Sequence, residues 1–235
     1  MSTVELIINS ATTFYNDLKA DKNGRYRSWE HCYKLFHDAR HIKTPDYDYL
    51  SLHLAFYLAS WGMYRGSSFL LQKDYKVHIP VVKEILKEEY NCLFGLNCGD
   101  FESNDIKQRL QGLYKTIENI YDDIRKSVKE KQNVKNKLSS TLITKVLMGT
   151  LGCVPAYDRY FIDGVKDQRI TTGNYNFESL SKLADFYKQN YKRLEAERSK
   201  LKVYDLPYPQ MKLLDMGFWQ IGFEKDPNNK NKAVH

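Results

Sequence analysis

The stretch Asp105–Glu130, DIKQRLQGLYKTIENIYDDIRKSVKE, decides the fold class. Ile106, Leu110, Leu113, Ile117, Ile120 and Ile124 recur at intervals of 4, 3, 4, 3 and 4. That rhythm lines them up on one stripe of an α-helix, whereas a half-buried strand would alternate every second residue. A helix of this length is about 39 Å long. Phe177, Leu180, Ala184, Tyr187, Tyr191, Leu194 and Leu201 repeat the rhythm further on, with Arg198 in the one gap. Two such amphipathic helices need apolar partners, and the heptads are too few for an extended coiled coil.

Upstream, Ser2 and Glu5 have capping-box spacing and open a helix through Val4, Ile7, Ile8, Ala11, Phe14, Tyr15 and Leu18. Gly24 is expected to stop it, and Arg25–His41 reads as a second helix. Thr44-Pro45-Asp46 starts the apolar helix Tyr47–Trp61, with Thr44 as the expected cap. Gly62-Met-Tyr-Arg-Gly66 breaks it, a short helix Ser67–Gln72 follows, and His78-Ile-Pro80 begins another running to about Tyr90. Ile170-Thr-Thr172 is the one candidate for a small strand pairing. The expected fold is all-α, a compact bundle of about nine or ten helices. Residues 1–223 are read as one domain and 224–235 as a flexible C-terminal tail.

The chain has 235 residues, enough to bury a large core, and 18 tyrosines suit helices half sunk in it. Lys and Arg number 36 against 29 acidic residues, a net charge of +7 that favours DNA, RNA or another polyanion as partner. Arg125–Lys137 holds six basic residues against Glu130, and Lys188–Lys202 six more against Glu195 and Glu197. If the two long helices are neighbours, these clusters merge into one positive face. A protein partner bound through the Tyr-rich helices is the other partner class. Four cysteines without CxxC spacing read as buried thiols of a cytoplasmic protein, and Leu50–Leu71 is too interrupted by polar residues for a membrane span.

Several residue groups carry candidate chemistry. The turn Gly62–Ser68 offers Arg65, Ser67 and Ser68 to an anion at a helix N-terminus. His37 and His41 stand one helical turn apart, but no third ligand accompanies them, so no metal is predicted. No GxSxG, Cys/His nucleophile pattern or dinucleotide fingerprint is present, and no cofactor is expected. The densest polar group beside a core is Ser139–Gly164, SSTLITKVLMGTLGCVPAYDRYFIDG, with Lys145 on one helix and Asp158 and Arg159 after a Gly-Cys-Val-Pro break.

Lys145 followed by a turn and Pro155-Ala-Tyr-Asp158 resembles the Lys-then-Asp half of helix-hairpin-helix DNA glycosylases. The resemblance implies Lys145 as a Schiff-base nucleophile at the sugar C1′ and Asp158 as the carboxylate that steers it; Arg159, like Arg65, Ser67, Ser68 and Lys145, is expected as a polyanion contact on the basic face. It covers about a tenth of the chain, and here Gly149 and Gly152 follow the lysine, whereas the family's glycine hairpin precedes it. Arg25 and His31 are similar to the Arg-to-His signature of HEPN ribonucleases, which implies a metal-free RNA-cleaving pair at a dimer interface.

Overall fold

The computed structural model describes residues 1–129 and 134–229. Among them are ten α-helices: α1 (Thr3–Ala20), α2 (Ser28–Ala39), α3 (Tyr47–Ser60), α4 (Ile79–Ile85), α5 (Asn104–Lys126), α6 (Ser140–Thr150), α7 (Arg159–Asp167), α8 (Phe177–Gln189), α9 (Tyr191–Arg198) and α10 (Gln210–Lys225). The all-α expectation holds. The described strands are β1 (Lys202–Val203) and β2 (Leu206–Pro207), which pair antiparallel with Val203 opposite Leu206; Ile170–Thr172 forms no strand.

The helix around which the others assemble is the last. Every residue of α10 from Gln210 to Gly222 is buried, and α1, α7 and α9 pack against it. A helix wrapped on all sides is apolar on all sides, and its few polar groups find partners inside. Gln210 accepts from the Cys98 N–H at 2.6 Å and donates to Glu195 at 2.7 Å, and Lys212 reaches Asp215 at 2.8 Å.

Two glycines set the approach of α7 to α10. A Cβ on Gly164 would lie 2.0 Å from the Phe218 carbonyl oxygen, and one on Gly222 would lie 2.0 Å from the Tyr160 carbonyl oxygen. Neither oxygen can move without its helix. Gly222→Ala is therefore expected to cost about 3 kcal/mol, at the upper end of ordinary overpacking. A lower urea midpoint at unchanged m would show it, and an unchanged midpoint would refute the close approach.

The first helix has its expected capping box, with Glu5 N–H donating to the Ser2 hydroxyl and Ser2 N–H to the Glu5 carboxylate. Other boundaries differ from expectation. Gly24 does not stop α1 in a left-handed turn; Asp21 is the C-cap and Gly24 opens a 3-10 turn at Arg25–Arg27. Asp46, not Thr44, caps α3, accepting the Tyr49 N–H at 3.0 Å. The helix at His78 ends at Ile85 instead of near Tyr90.

The second long helix is two helices. The Asn190 side-chain amide donates to the Phe186 carbonyl at 2.9 Å, and that local bond competes with helix continuation. The expected tail is shorter too. α10 runs to Lys225, and Asp226 and Asn229 bond back to Tyr160 and Arg159, so residues 224–229 belong to the folded body. Residues 230–235 lie outside the described residues. The cysteines are all free; Cys32, Cys98 and Cys153 are buried, and Cys92 is exposed. Among the described residues no helix is long and apolar enough to cross a membrane.

Candidate functional site: a lysine–aspartate pair under Trp61

The site begins at the end of α3. Trp61 is its C-cap, and Gly62 takes φ 77° so that the chain can turn back. Gly62 N–H donates to the Ala59 carbonyl at 2.9 Å and Met63 N–H to the Leu58 carbonyl at 2.8 Å, closing the helix. This termination leaves the Trp61 ring half-buried, 4.8 Å from the Tyr26 ring and 6.0 Å from that of Trp219.

Beneath it, Lys145 Nζ lies 5.0 Å from the Trp61 ring centroid and 2.8 Å from Asp158 Oδ2. The two side chains are 3% and 16% exposed. Their meeting is built locally. Thr141 donates its hydroxyl to the Tyr157 carbonyl at 2.8 Å, and Thr144 accepts the Tyr157 N–H at 3.0 Å. Both backbone groups of Tyr157 are thus tied to α6, which places the next residue, Asp158, beside Lys145, the residue after Thr144. Asp215 adds a third tie from α10, accepting the Ala156 N–H at 2.9 Å. Asp158 also caps α7 through Oδ1, which accepts the Phe161 N–H at 3.2 Å. A carboxylate is favoured there by the partial positive charge of the helix N-terminus.

A second ion pair also lies against the same indole. Lys212 Nζ lies 4.7 Å from the Trp29 centroid, 5.3 Å from that of Trp61 and 5.6 Å from that of Phe14. Trp61, Thr141, Thr144, Lys212 and Asp215 were not readable as site residues. The i, i+3 spacing of Lys212 and Asp215 inside an apolar segment was the one available signal.

The other sequence candidates separate. Arg65 is exposed and folds back on Gly62, where a Cβ would meet its guanidinium carbon at 3.2 Å. The expected helix N-terminus at Ser67–Ser68 is a single 3-10 turn, Phe69–Gln72. Its cap is occupied, because the Ser68 hydroxyl already accepts the Leu70 N–H at 3.3 Å. Ser67 accepts the Lys135 N–H through its carbonyl at 3.1 Å. These two serines therefore stabilise a junction and do not form an anion cradle. Arg159 lies 4.6 Å over Tyr160 and is ion-paired with Asp226, so it is not an open phosphate contact.

The two basic clusters do not share a face. Lys188 pairs with Glu102, just before α5 begins, whereas Arg125 and Lys126 close α5, a helix rise of about 33 Å away. Several of these cations are also paired with a carboxylate three or four residues away: Arg125 and Lys126 with Asp122, Arg198 with Glu195, and Lys200 with Glu197. Lys131 lies outside the described residues.

His37 and His41 have ring centroids 5.4 Å apart, and no group of three metal-binding side chains occurs among the described residues. Arg25 stacks over Tyr26 at 4.7 Å, while His31 lies near His53, whose pKa is lowered by burial and by that neighbour. No protein-family model, curated protein or solved structure matches the chain.

Proposed function

We propose that the chain is a nucleic-acid-acting protein of glycosylase/lyase type, with Lys145 as amine nucleophile and Asp158 as its carboxylate partner. The observation that carries this reading is the 2.8 Å contact of Lys145 Nζ with Asp158 Oδ2, one aromatic ring below the surface. In the reaction Asp158 takes a proton from the Lys145 ammonium, the freed amine bonds to C1′ of a deoxyribose as the C1′–base bond breaks, and that proton passes to the leaving base, returning Asp158 to its carboxylate form. Opening of the sugar ring gives an imine on Lys145, and Asp158 stabilises positive charge developing at C1′. The base must first leave the duplex stack, as in other enzymes that act on bases.

Access runs through Trp61. Its indole N–H has no hydrogen-bond partner, so turning the ring breaks no hydrogen bond.

Borohydride trapping on damaged duplex DNA tests the reaction, because it reduces the imine to a stable secondary amine. The expected result is an adduct that peptide mapping places on Lys145 and that Lys145→Gln abolishes. No adduct, or an adduct mapped elsewhere, removes the proposal. Mapping the wild-type adduct keeps the test informative should the variant fold poorly.

The second reading is a protein-interaction module, favoured by Tyr49, Leu52 and Phe56, large side chains exposed along one face of α3. It predicts that Phe56→Glu abolishes a defined complex that Lys145→Gln leaves intact.

A further inference from the structure

We propose that the outer face of α3 seats a second copy of this chain, the two α3 helices packing antiparallel across a two-fold axis. The inference rests on the reading of α3 as a protein-binding face, and it names the partner.

The exposed positions of a solvated helix are polar, and those of α5 carry only polar side chains or glycine. α3 departs from that pattern. α2, α4 and α6 pack against it, and on the side left open stand Tyr49, Leu52 and Phe56, exposed by 49%, 47% and 58%. Their spacing of 3 and 4 puts them on one stripe, two turns and about 10.5 Å long. The other exposed large apolar side chains among the described residues, Met1, Ile42, Leu71, Tyr191 and Tyr204, each lie on a different element. A contiguous exposed group of this kind marks an interaction surface, whereas scattered ones do not.

Charge, symmetry and size select the partner. No Asp, Glu, Lys or Arg occurs from Tyr49 to Tyr64, and His53 is neutral at pH 7 because burial lowers its pKa. Of the bordering charges, Lys34 is paired with Asp38 on α2, and Asp48 with Lys76. Two chains of net charge +7 repel each other, and this face lets them touch without setting cation against cation. It offers nothing to a strongly charged partner. The stripe also reads alike from both ends: aromatic, aliphatic, aromatic. A two-fold interface needs such self-complementarity. With the axis between Leu52 and His53, Tyr49 of one copy faces Phe56 of the other, and the two Leu52 side chains flank the axis. Half-exposed, the three anchors supply roughly 100 Å² each. With the helix surface around them the contact falls in the small class of transient interfaces, under about 1,200 Å² in total. The dimer is therefore weak and reversible, with a dissociation constant of about 10–100 μM.

Sedimentation velocity of the full chain from about 1 to about 300 μM should show monomer giving way to dimer, more completely at high salt, which screens the repulsion between the copies. Phe56→Glu, at an exposed position, should weaken dimerisation at least about tenfold, and Leu52→Lys repeats the test should that variant fold poorly. Disulfide trapping reads the register. In a Cys92→Ser background Leu52→Cys should oxidise to a covalent dimer, and an equal mixture of Tyr49→Cys and Phe56→Cys should form the mixed dimer ahead of either homodimer. A chain that stays monomeric at about 300 μM, or a dimer that both Phe56→Glu and Leu52→Lys leave intact, overturns the inference. So does a Tyr49→Cys homodimer that forms faster than the mixed one. If the chain is monomeric while Phe56→Glu still abolishes a complex with a different protein, the second copy is excluded and α3 remains a protein-binding face.

Discussion

Lys212→Met is expected to lower stability by about 3–5 kcal/mol, and adding Asp215→Asn is expected to restore most of that loss. Lys212 and Asp215 are both almost completely buried on the central helix, 2.8 Å apart. Removing the ammonium leaves a carboxylate in an apolar interior with one backbone N–H as its remaining hydrogen-bond donor, that of Ala156. An uncompensated buried charge of this kind costs far more than a lost surface pair. Asn at 215 removes the stranded charge and keeps an oxygen for Ala156, so the double variant should sit well above the sum of the singles.

Asp215→Asn alone should cost less than Lys212→Met. The ammonium it strands still faces Phe14, Trp29 and Trp61, whose rings attract a cation by up to about 2 kcal/mol when desolvated. A double-mutant cycle in urea measures the coupling directly. Additive losses would show that the two side chains do not act as a pair. The cycle also bears on the reaction centre, because Asp215 holds the turn two residues before Asp158. Asp215→Asn should leave that turn in place, while Asp215→Leu should release it and loosen Asp158.

The helices were legible because their signals are local. A stripe at 3.6-residue spacing in α5 and a capping box at Ser2 each depend on residues a few positions apart. The break at Asn190 was less visible, since it depends on one side-chain amide winning over the backbone ladder. The central place of α10 was not readable at all. A segment buried on every side has no amphipathic stripe to announce its orientation, and the decisive contacts of Gly164 and Gly222 lie on different helices.

The candidate site divides the same way. Lys145 and Asp158 could be singled out because thirteen residues and one tight turn separate them. Trp61 could not, because its place over Lys145 depends on where α3 ends relative to α6. The shared basic face failed for a related reason: composition counts charges, but only the fold shows that each cluster lies beside its own carboxylates.

Between pH 6.5 and pH 3 the protein should lose roughly 5 kcal/mol of stability to one residue, His78. Its ring is fully buried, with one nitrogen 2.7 Å from the Tyr64 hydroxyl and the other 2.7 Å from the Tyr121 hydroxyl. Burial pushes its pKa down to about 3. In the unfolded chain the imidazole takes a proton near pH 6.5. Through that window the unfolded state binds more protons than the folded one, so stability falls as pH falls, approaching about 1.4 kcal/mol per pH unit. The contribution is fully present above pH 6.5 and is gone below about 3. His53, also lowered by burial, adds a smaller slope of the same sign. Paired carboxylates such as Asp122 and Glu195 have lowered pKa values and contribute mainly below about pH 4.5. The interval from pH 6.5 to 5 therefore isolates the histidines. Urea midpoints measured there should slope steeply in the wild type and far less in His78→Gln, whatever that variant costs at pH 8. A flat wild-type profile would mean that the ring titrates normally and is not sealed in. Because Tyr64 lies in the turn between Gly62 and Gly66 and sits on one His78 nitrogen, opening this turn lets water reach the charged ring that burial penalises. Acid should thus loosen the chain beside Trp61 before it unfolds the bundle, with tryptophan emission changing at a higher pH than helical circular dichroism.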